Sequence, residues 1–248
     1  MSTPRVTSAI VLAGGLGTRL RSAVPDLPKP MAPIHGRPFL MHQLDHWIAQ
    51  GIGHFILSVG YLHDRVIDGL GHHYRGAALD YVIERSPLGT GGALLLAGAG
   101  LPRDEPALLL NGDTYFDMSL GALDTHARRC QAQWCLALFG NSDPKRYMGV
   151  GIDADGYITS VRQPASPWAN AGVYWFQPRT LDLFSDSGGQ ALSLENDLFP
   201  RLLQHGQRFA GLPCSGDFID IGVPEDYRRA ADLLPQQCPV GETHAHTT

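Results

Sequence analysis

Residues 8–12, Ser-Ala-Ile-Val-Leu, form a short apolar run that breaks off into Ala13-Gly14-Gly15-Leu16-Gly17-Thr18-Arg19-Leu20. A run of this length suits a strand buried in a parallel sheet. The glycines that follow remove Cβ atoms where the chain leaves the strand, so the backbone can take positive φ and approach another group closely. Successive amide N–H groups in such a loop form a concave donor set for anions, and in open α/β sheets ligands bind at the carboxyl ends of strands. Arg19 adds a forked cation suited to phosphate oxygens, and Lys29, within Pro28-Lys29-Pro30, adds a compact one. Glycines alone also make an ordinary tight turn; two nearby cations point instead to a polyanion. Leu20 stands where a dinucleotide fingerprint needs its third glycine, and no Gly-Lys-Ser/Thr ending follows.

The rest of the chain supports an α/β reading. Residues 38–50 place Phe39, Leu40, Leu44, Trp47 and Ile48 on one helical face, with Gly51 as the cap. Apolar runs of strand length follow at 54–59, 81–83, 107–110, 135–139 and 171–176, with a helix expected over 92–99. Residues 150–152 and 157–161 flank Asp153-Ala154-Asp155-Gly156, a hairpin signal. Residues 195–205 read as helical despite Pro200, and a last helix starts at Pro224, where Glu225 and Asp226 suit the first turn. Strands alternating with helices predict right-handed crossovers and a mostly parallel sheet. With no repeat or dividing linker, residues 1–234 are expected to form one domain and 235–248 a polar tail.

At 248 residues and 44% apolar content the chain can bury a sizeable core. A net charge of -5 argues against a general nucleic-acid binder, which needs a basic face. The apolar stretch after Arg5 is shorter than a signal-peptide core, and no run approaches the roughly 18 apolar residues of a membrane span. A soluble, cytoplasmic chain without a membrane partner is expected, and a homo-oligomer is left open. Cys130, Cys135, Cys214 and Cys238 form no Cys-x-x-Cys pair and read as reduced thiols. His244 and His246 lie in the polar tail and are assigned no metal.

Two carboxylates stand out. Asn111-Gly112-Asp113 follows the apolar run 107–110, which puts Asp113 at a strand's carboxyl end, on the rim where the glycine loop opens. A hard oxygen ligand there suits Mg²⁺, although Asp also caps turns. Asp220, in Phe218-Ile219-Asp220-Ile221-Gly222, has apolar neighbours on both sides, so an ionised carboxylate needs either a cation or an internal arginine.

The run Gly14-Gly15-Leu16-Gly17-Thr18-Arg19-Leu20 followed by Lys29-Pro30 resembles the signature of sugar-1-phosphate nucleotidyltransferases. Segments 29–34, 87–93, 111–114 and 218–227 are similar, in the same order, to the D-glycero-α-D-manno-heptose-1-phosphate guanylyltransferases, and the likeness runs from about residue 8 to 234. The resemblance implies a Rossmann-like three-layer αβα sandwich with a mixed, mostly parallel central sheet. It also implies Mg²⁺-assisted attack of a sugar-1-phosphate on the α-phosphate of a nucleoside triphosphate, GTP foremost, with release of pyrophosphate. A phosphate monoester has a second pKa near ~6, so the nucleophile is already largely dianionic and no general base is required. What remains is to offset repulsion and align the anions, and holding both partners contributes roughly 7–11 kcal/mol.

On the matching residues the resemblance places the triphosphate against Gly14, Gly15, Gly17 and Thr18, Leu12 and Ala13 against the substrate, Arg19 on the leaving pyrophosphate, and Lys29 on the α-phosphate and incoming phosphate. It gives Mg²⁺ to Asp113 and Asp220, with Asn111 and Gly112 beside the substrate. Gly89, Thr90 and Gly91, with their N–H groups expected free, surround the base and ribose, while Asn170 and Gly172 mark the sugar entrance. One departure stands out: many relatives carry Glu-Lys-Pro where this chain has Arg162-Gln163-Pro164, leaving Arg162 as the candidate cation for the sugar phosphate. The other readings are transfer to mannose 1-phosphate, uridylyl or adenylyl transfer to another sugar phosphate, and, from a different class, a non-catalytic nucleotide-sugar-binding regulator.

Overall fold

Alternation of side chains along each central strand decides the architecture. In strand β1 (Ser8–Ala13), Ala9, Val11 and Ala13 enter one hydrophobic cluster while Ile10 enters another on the opposite face, as the two-residue period of a strand requires. The computed structural model describes residues 6–15, 17, 19, 20, 24–147 and 149–236. Thr18, Cys238, His244 and His246, assigned above from sequence, lie outside the described residues, as does segment 237–248 of the expected tail.

After β1 come a short hairpin, β2 (Pro33–Ile34) and β3 (Arg37–Pro38), helix α1 (Phe39–Ile48), β4 (His54–Val59) and α2 (His63–Leu70). Then follow β5 (His73–Tyr74), β6 (Ala77–Ile83), α3 (Gly89–Gly98), β7 (Ala107–Asn111), β8 (Thr114–Phe116), α4 (Leu120–Arg129) and β9 (Trp134–Gly140). The last third holds β10 (Gly151–Ile152), β11 (Ile158–Ser160), β12 (Trp168–Phe176), α5 (Phe199–Gln204), β13 (Phe209–Pro213), β14 (Phe218–Asp220) and α6 (Pro224–Leu233).

Eight strands form the main sheet in the order β13-β9-β12-β7-β1-β4-β6-β5. All run the same way except β12, antiparallel to both β7 and β9, and the edge strand β5. The sheet is therefore mixed and mostly parallel, as expected. Helices α1, α2 and α4 pack on one face through Leu40, Leu44, Trp47, Val66, Leu70 and Leu123, and α3 and α5 on the other through Leu94, Ala97, Phe199 and Leu202. Successive strands proceed from β1 outward to β4 and β6, and β7 then returns to the other side of β1. This reversal between β1 and β7 is the switch point at which open α/β sheets leave a crevice.

Several elements differ from the sequence expectation. Helix α3 starts at Gly89, not Gly92, because the Leu192 carbonyl accepts the Gly91 and Gly92 N–H groups at 2.8 and 3.2 Å. Residues 195–205 split into a π turn, Leu194–Leu198, and α5. Helices α2 and α4 were not expected; α2 buries only Val66 and Leu70, too few apolar positions to announce it, and α4 carries a local signal in Ser119, whose Oγ accepts the Ala122 N–H at 3.2 Å. The hairpin around 153–156 forms as β10 and β11. Among the described residues Cys130, Cys135 and Cys214 are free thiols; burial pushes Cys214 up to about 11 and Cys135 further up. No helix among the described residues is long and apolar enough to cross a membrane.

Candidate active site

Two adjoining clefts open over the switch point. The first, about 330 Å³, is lined by Leu12, Ala13, Gly15, Gly17, Arg19, Lys29, Gly112, Asp113 and Gly222; the second, about 300 Å³, by Leu12, Gly14, Gly15, Glu84, Gly89, Thr90, Asn111 and Asp113. Shared residues Leu12, Gly15 and Asp113 make them one continuous surface.

Glycine is required at position 112, where a Cβ would lie 2.6 Å from the Leu12 carbonyl oxygen, and Gly14 leaves the room that the Glu84 carboxylate occupies. The Gly112 N–H donates to that same carbonyl at 2.9 Å, which locks the turn carrying Asp113 to the end of β1. Buried Gln43 clamps this turn from beneath, donating to the carbonyls of Asn111 (2.8 Å) and Thr114 (2.7 Å).

Asp220 reaches Asp113 through a two-stranded antiparallel ladder, β14 on β8, in which Asp220 pairs with Thr114. The Ile221 N–H donates to the Asp113 carbonyl at 3.0 Å, completing the stitch. Lys29 enters from a 3₁₀ turn, Lys29–Met31, held between prolines 28 and 30. Its Nζ lies 2.5 Å from Asp113 Oδ2 and 3.7 Å from Asp220 Oδ1. One cation thus already sits between the two carboxylates, showing that the pair can share a positive charge. Two carboxylates with no third His, Cys, Asp or Glu grouped beside them among the described residues suit Mg²⁺, which draws its other ligands from phosphate and water.

Of the partners considered for Asp220, the structure shows the internal arginine. Besides Lys29, Asp220 meets Arg146, whose Nη2 lies 3.2 Å from Oδ2, and its Oδ1 accepts the Gly222 N–H at 2.6 Å. Sequence reading missed Arg146, Glu84 and Gln43. Glu84 carried a faint signal, a carboxylate directly after the apolar end of β6; its oxygens accept from Ser58 Oγ at 2.9 Å and the Leu88 N–H at 3.3 Å. Arg146 sits in a polar loop far from either carboxylate in sequence, where nothing local marks it.

Of the other expected positions, Gly91, Asn170, Gly172 and Arg162 line neither cleft. The N–H of Gly91 is not free but bound to Leu192, and a Cβ there would meet Leu198 Cδ1 at 2.7 Å, so this glycine serves packing. Thr90 lines the second cleft while its Oγ1 accepts the Leu194 N–H at 2.8 Å. Asn170 spends its side chain internally, donating to Tyr174 Oη at 2.7 Å and accepting from the Gly172 N–H at 3.0 Å. Gly172, with φ +74°, backs the Asn111 side chain, which a Cβ would approach to 2.5 Å. Arg162 is exposed and bonded to Asn196 Oδ1, outside both clefts.

A glycine loop, two cations and two convergent carboxylates at a switch point are the machinery of phosphate chemistry, and comparison with known proteins agrees. Residues 8–237 match the model of the nucleotidyl transferase family. The chain belongs to that family. This nucleotidyl transferase is 37% identical over 230 residues to the D-glycero-alpha-D-manno-heptose 1-phosphate guanylyltransferase of Aneurinibacillus thermoaerophilus, covering 91% of this chain and 97% of that protein. It is 34% identical to the mannose-1-phosphate guanylyltransferase of Mycobacterium tuberculosis, covering 99% of this chain and 69% of that one. The structure of HddC from Yersinia pseudotuberculosis complexed with GMP-PN superposes with a TM-score of 0.79 at 30% identity, covering 92% of this chain and 99% of HddC.

Proposed function

We propose that this nucleotidyl transferase joins GTP to a sugar 1-phosphate, D-glycero-α-D-manno-heptose 1-phosphate foremost, giving a GDP-sugar and pyrophosphate. The observation that carries the reading is Lys29 poised over both Asp113 and Asp220 in the cleft where the glycine loop opens. The triphosphate lies along Gly14, Gly15 and Gly17, and Arg19 meets the pyrophosphate that leaves. Lys29, on a flexible four-carbon stem, moves from the carboxylates to the α-phosphate and the incoming phosphate, lowering their mutual repulsion. Asp113 and Asp220 would hold Mg²⁺, which when bound would supply further charge stabilisation at the α-phosphate. No side chain has to remove a proton, because the attacking phosphate is already ionised.

The second cleft favours guanine. Glu84 offers only acceptors when ionised, and guanine presents a ring N–H and an exocyclic amino group as adjacent donors, the latter being what distinguishes it in the minor groove. A cytoplasmic setting fits a reaction fed by nucleoside triphosphates. Mannose 1-phosphate is the second reading, supported by the relative from M. tuberculosis. Pyrophosphate release across four nucleoside triphosphates and a set of sugar 1-phosphates tests both: turnover is expected with GTP and the heptose phosphate. Absence of turnover with every pair would favour a non-catalytic binding protein.

A further inference from the structure

Asp220 is bound more heavily than a metal ligand requires. Arg146 meets its Oδ2 at 3.2 Å and its main-chain carbonyl at 3.3 Å, and forms an ion pair with buried Asp226, only 4% exposed. The same guanidinium lies 4.8 Å from the centre of the Tyr147 ring, which packs edge-on against Phe139 and Phe218 at 5.1 and 5.8 Å. Arg229 reaches the other oxygen of Asp226 at 3.2 Å. Asp113, Asp220 and Asp226 are thus matched one for one by Lys29, Arg146 and Arg229.

These cations differ in freedom. Lys29 has a long single stem and can leave Asp113 when a phosphate offers a better partner. Arg146 is pinned by a buried carboxylate, a backbone oxygen and an aromatic face, so its charge stays beside Asp220 whatever else binds. A fixed positive charge there orients the carboxylate and also opposes any second cation.

We propose that Arg146 is a positioning residue that holds Asp220 in place and keeps the nucleotide-free protein's affinity for divalent cations low, so that the cation is taken up together with the triphosphate. The inference rests on the assignment of Asp113 and Asp220 as the cation's ligands. It explains why a site with two convergent carboxylates carries no net negative charge: the triphosphate supplies the missing anions. It also separates orientation, which Arg146 provides permanently, from charge neutralisation, which Lys29 can relinquish.

The test is Mn²⁺ binding to the intact protein without nucleotide, followed by the electron spin resonance of free Mn²⁺ at low ionic strength. Arg146→Gln should bind Mn²⁺ about tenfold more tightly than wild type, the size of one screened unit charge acting on a nearby dication. Arg146→Lys, which keeps the charge, should stay within about threefold of wild type. Adding Asp113→Asn to Arg146→Gln should abolish the gain. Should Arg146→Gln unfold by thermal melting, the double variant Arg146→Gln, Asp226→Asn removes the buried pair together and should show a smaller gain in the same direction, because the Asp226 charge leaves with that of Arg146 but touches Asp220 only through it. Unchanged or weaker Mn²⁺ binding in the folded variant overturns the proposal. A parallel titration of wild type and Asp113→Asn with a non-hydrolysable GTP analogue present, each scored as Mn²⁺ held beyond what the analogue alone chelates, keeps the two ideas apart. Failure to take up Mn²⁺ even then defeats the ligand assignment; uptake there, with no gain in Arg146→Gln, defeats only the role of Arg146.

Discussion

Lys29→Met keeps the length of the stem and removes the charge, so it isolates what the ammonium does. In the structure Nζ lies 2.5 Å from Asp113 and 3.7 Å from Asp220, on a side chain only 10% exposed. If Lys29 meets charge developing at the α-phosphate, its loss resembles loss of one preorganised donor, about 2.7–4 kcal/mol or 10²–10³ in kcat. The stability cost should be smaller. The Asp113 side chain is 39% exposed and stays hydrated, while Asp220 keeps Arg146 and the Gly222 N–H. A cost of about 1–2 kcal/mol follows, below the 3–5 of a fully buried pair that loses one partner, and for a chain of this size the melting temperature should fall by about 2–8 °C. Pyrophosphate release at saturating GTP and sugar phosphate, read beside thermal melting, separates the two effects. Rates within about threefold of wild type would refute the assignment of Lys29. So would a melting point lowered by more than about 15 °C, because Lys29 would then act mainly in folding.

Three further outcomes are expected. Glu84→Gln, which turns one acceptor into a donor in the second cleft, should lower kcat/KM for GTP by about 10–100-fold, the scale of one mismatched polar contact; equal losses for ATP and GTP would remove Glu84 from base reading. Gly112→Ala forces a Cβ to 2.6 Å from the Leu12 carbonyl and should cost about 1–3 kcal/mol in denaturant unfolding, with turnover falling further as Asp113 shifts; a cost below about 0.5 kcal/mol would show that the turn can yield. Desolvation lowers the pKa of His42, His46 and His126, with Arg129 adding to the effect at His126. The unfolded chain then binds more protons as pH drops through about 6.5, so stability should decline there and recover above it; a flat stability profile between pH 7.5 and 5.5 would contradict it.

Features carried by neighbouring residues were legible in the sequence. The strand 8–12, its glycine loop, Lys29 between prolines and Asp113 after an apolar run each announce themselves within ten residues, whereas the strand order that makes the switch point does not. What the sequence hid is made by distant segments meeting. Arg146 finds Asp220 and Asp226 across more than seventy residues, and Gln43 finds a turn 68 residues away. Glu84 gains its meaning only because Gly14 has no side chain to keep it out. Conversely, Asn170 and Arg162 looked available because their partners, Tyr174 and Asn196, cannot be seen as partners without the fold.

The small third core joins Leu20, Val24, Ala32 and Ile34, on the stretch from the glycine loop to just past Lys29, to Ile219, Ile221, Ala230 and Leu234 near the far end of the described chain. The return path of the glycine loop is therefore braced by α6, and a chain cut before Pro224 would keep all eight strands of the main sheet yet leave that path without support. Such a cut should silence the enzyme before it unfolds the sheet.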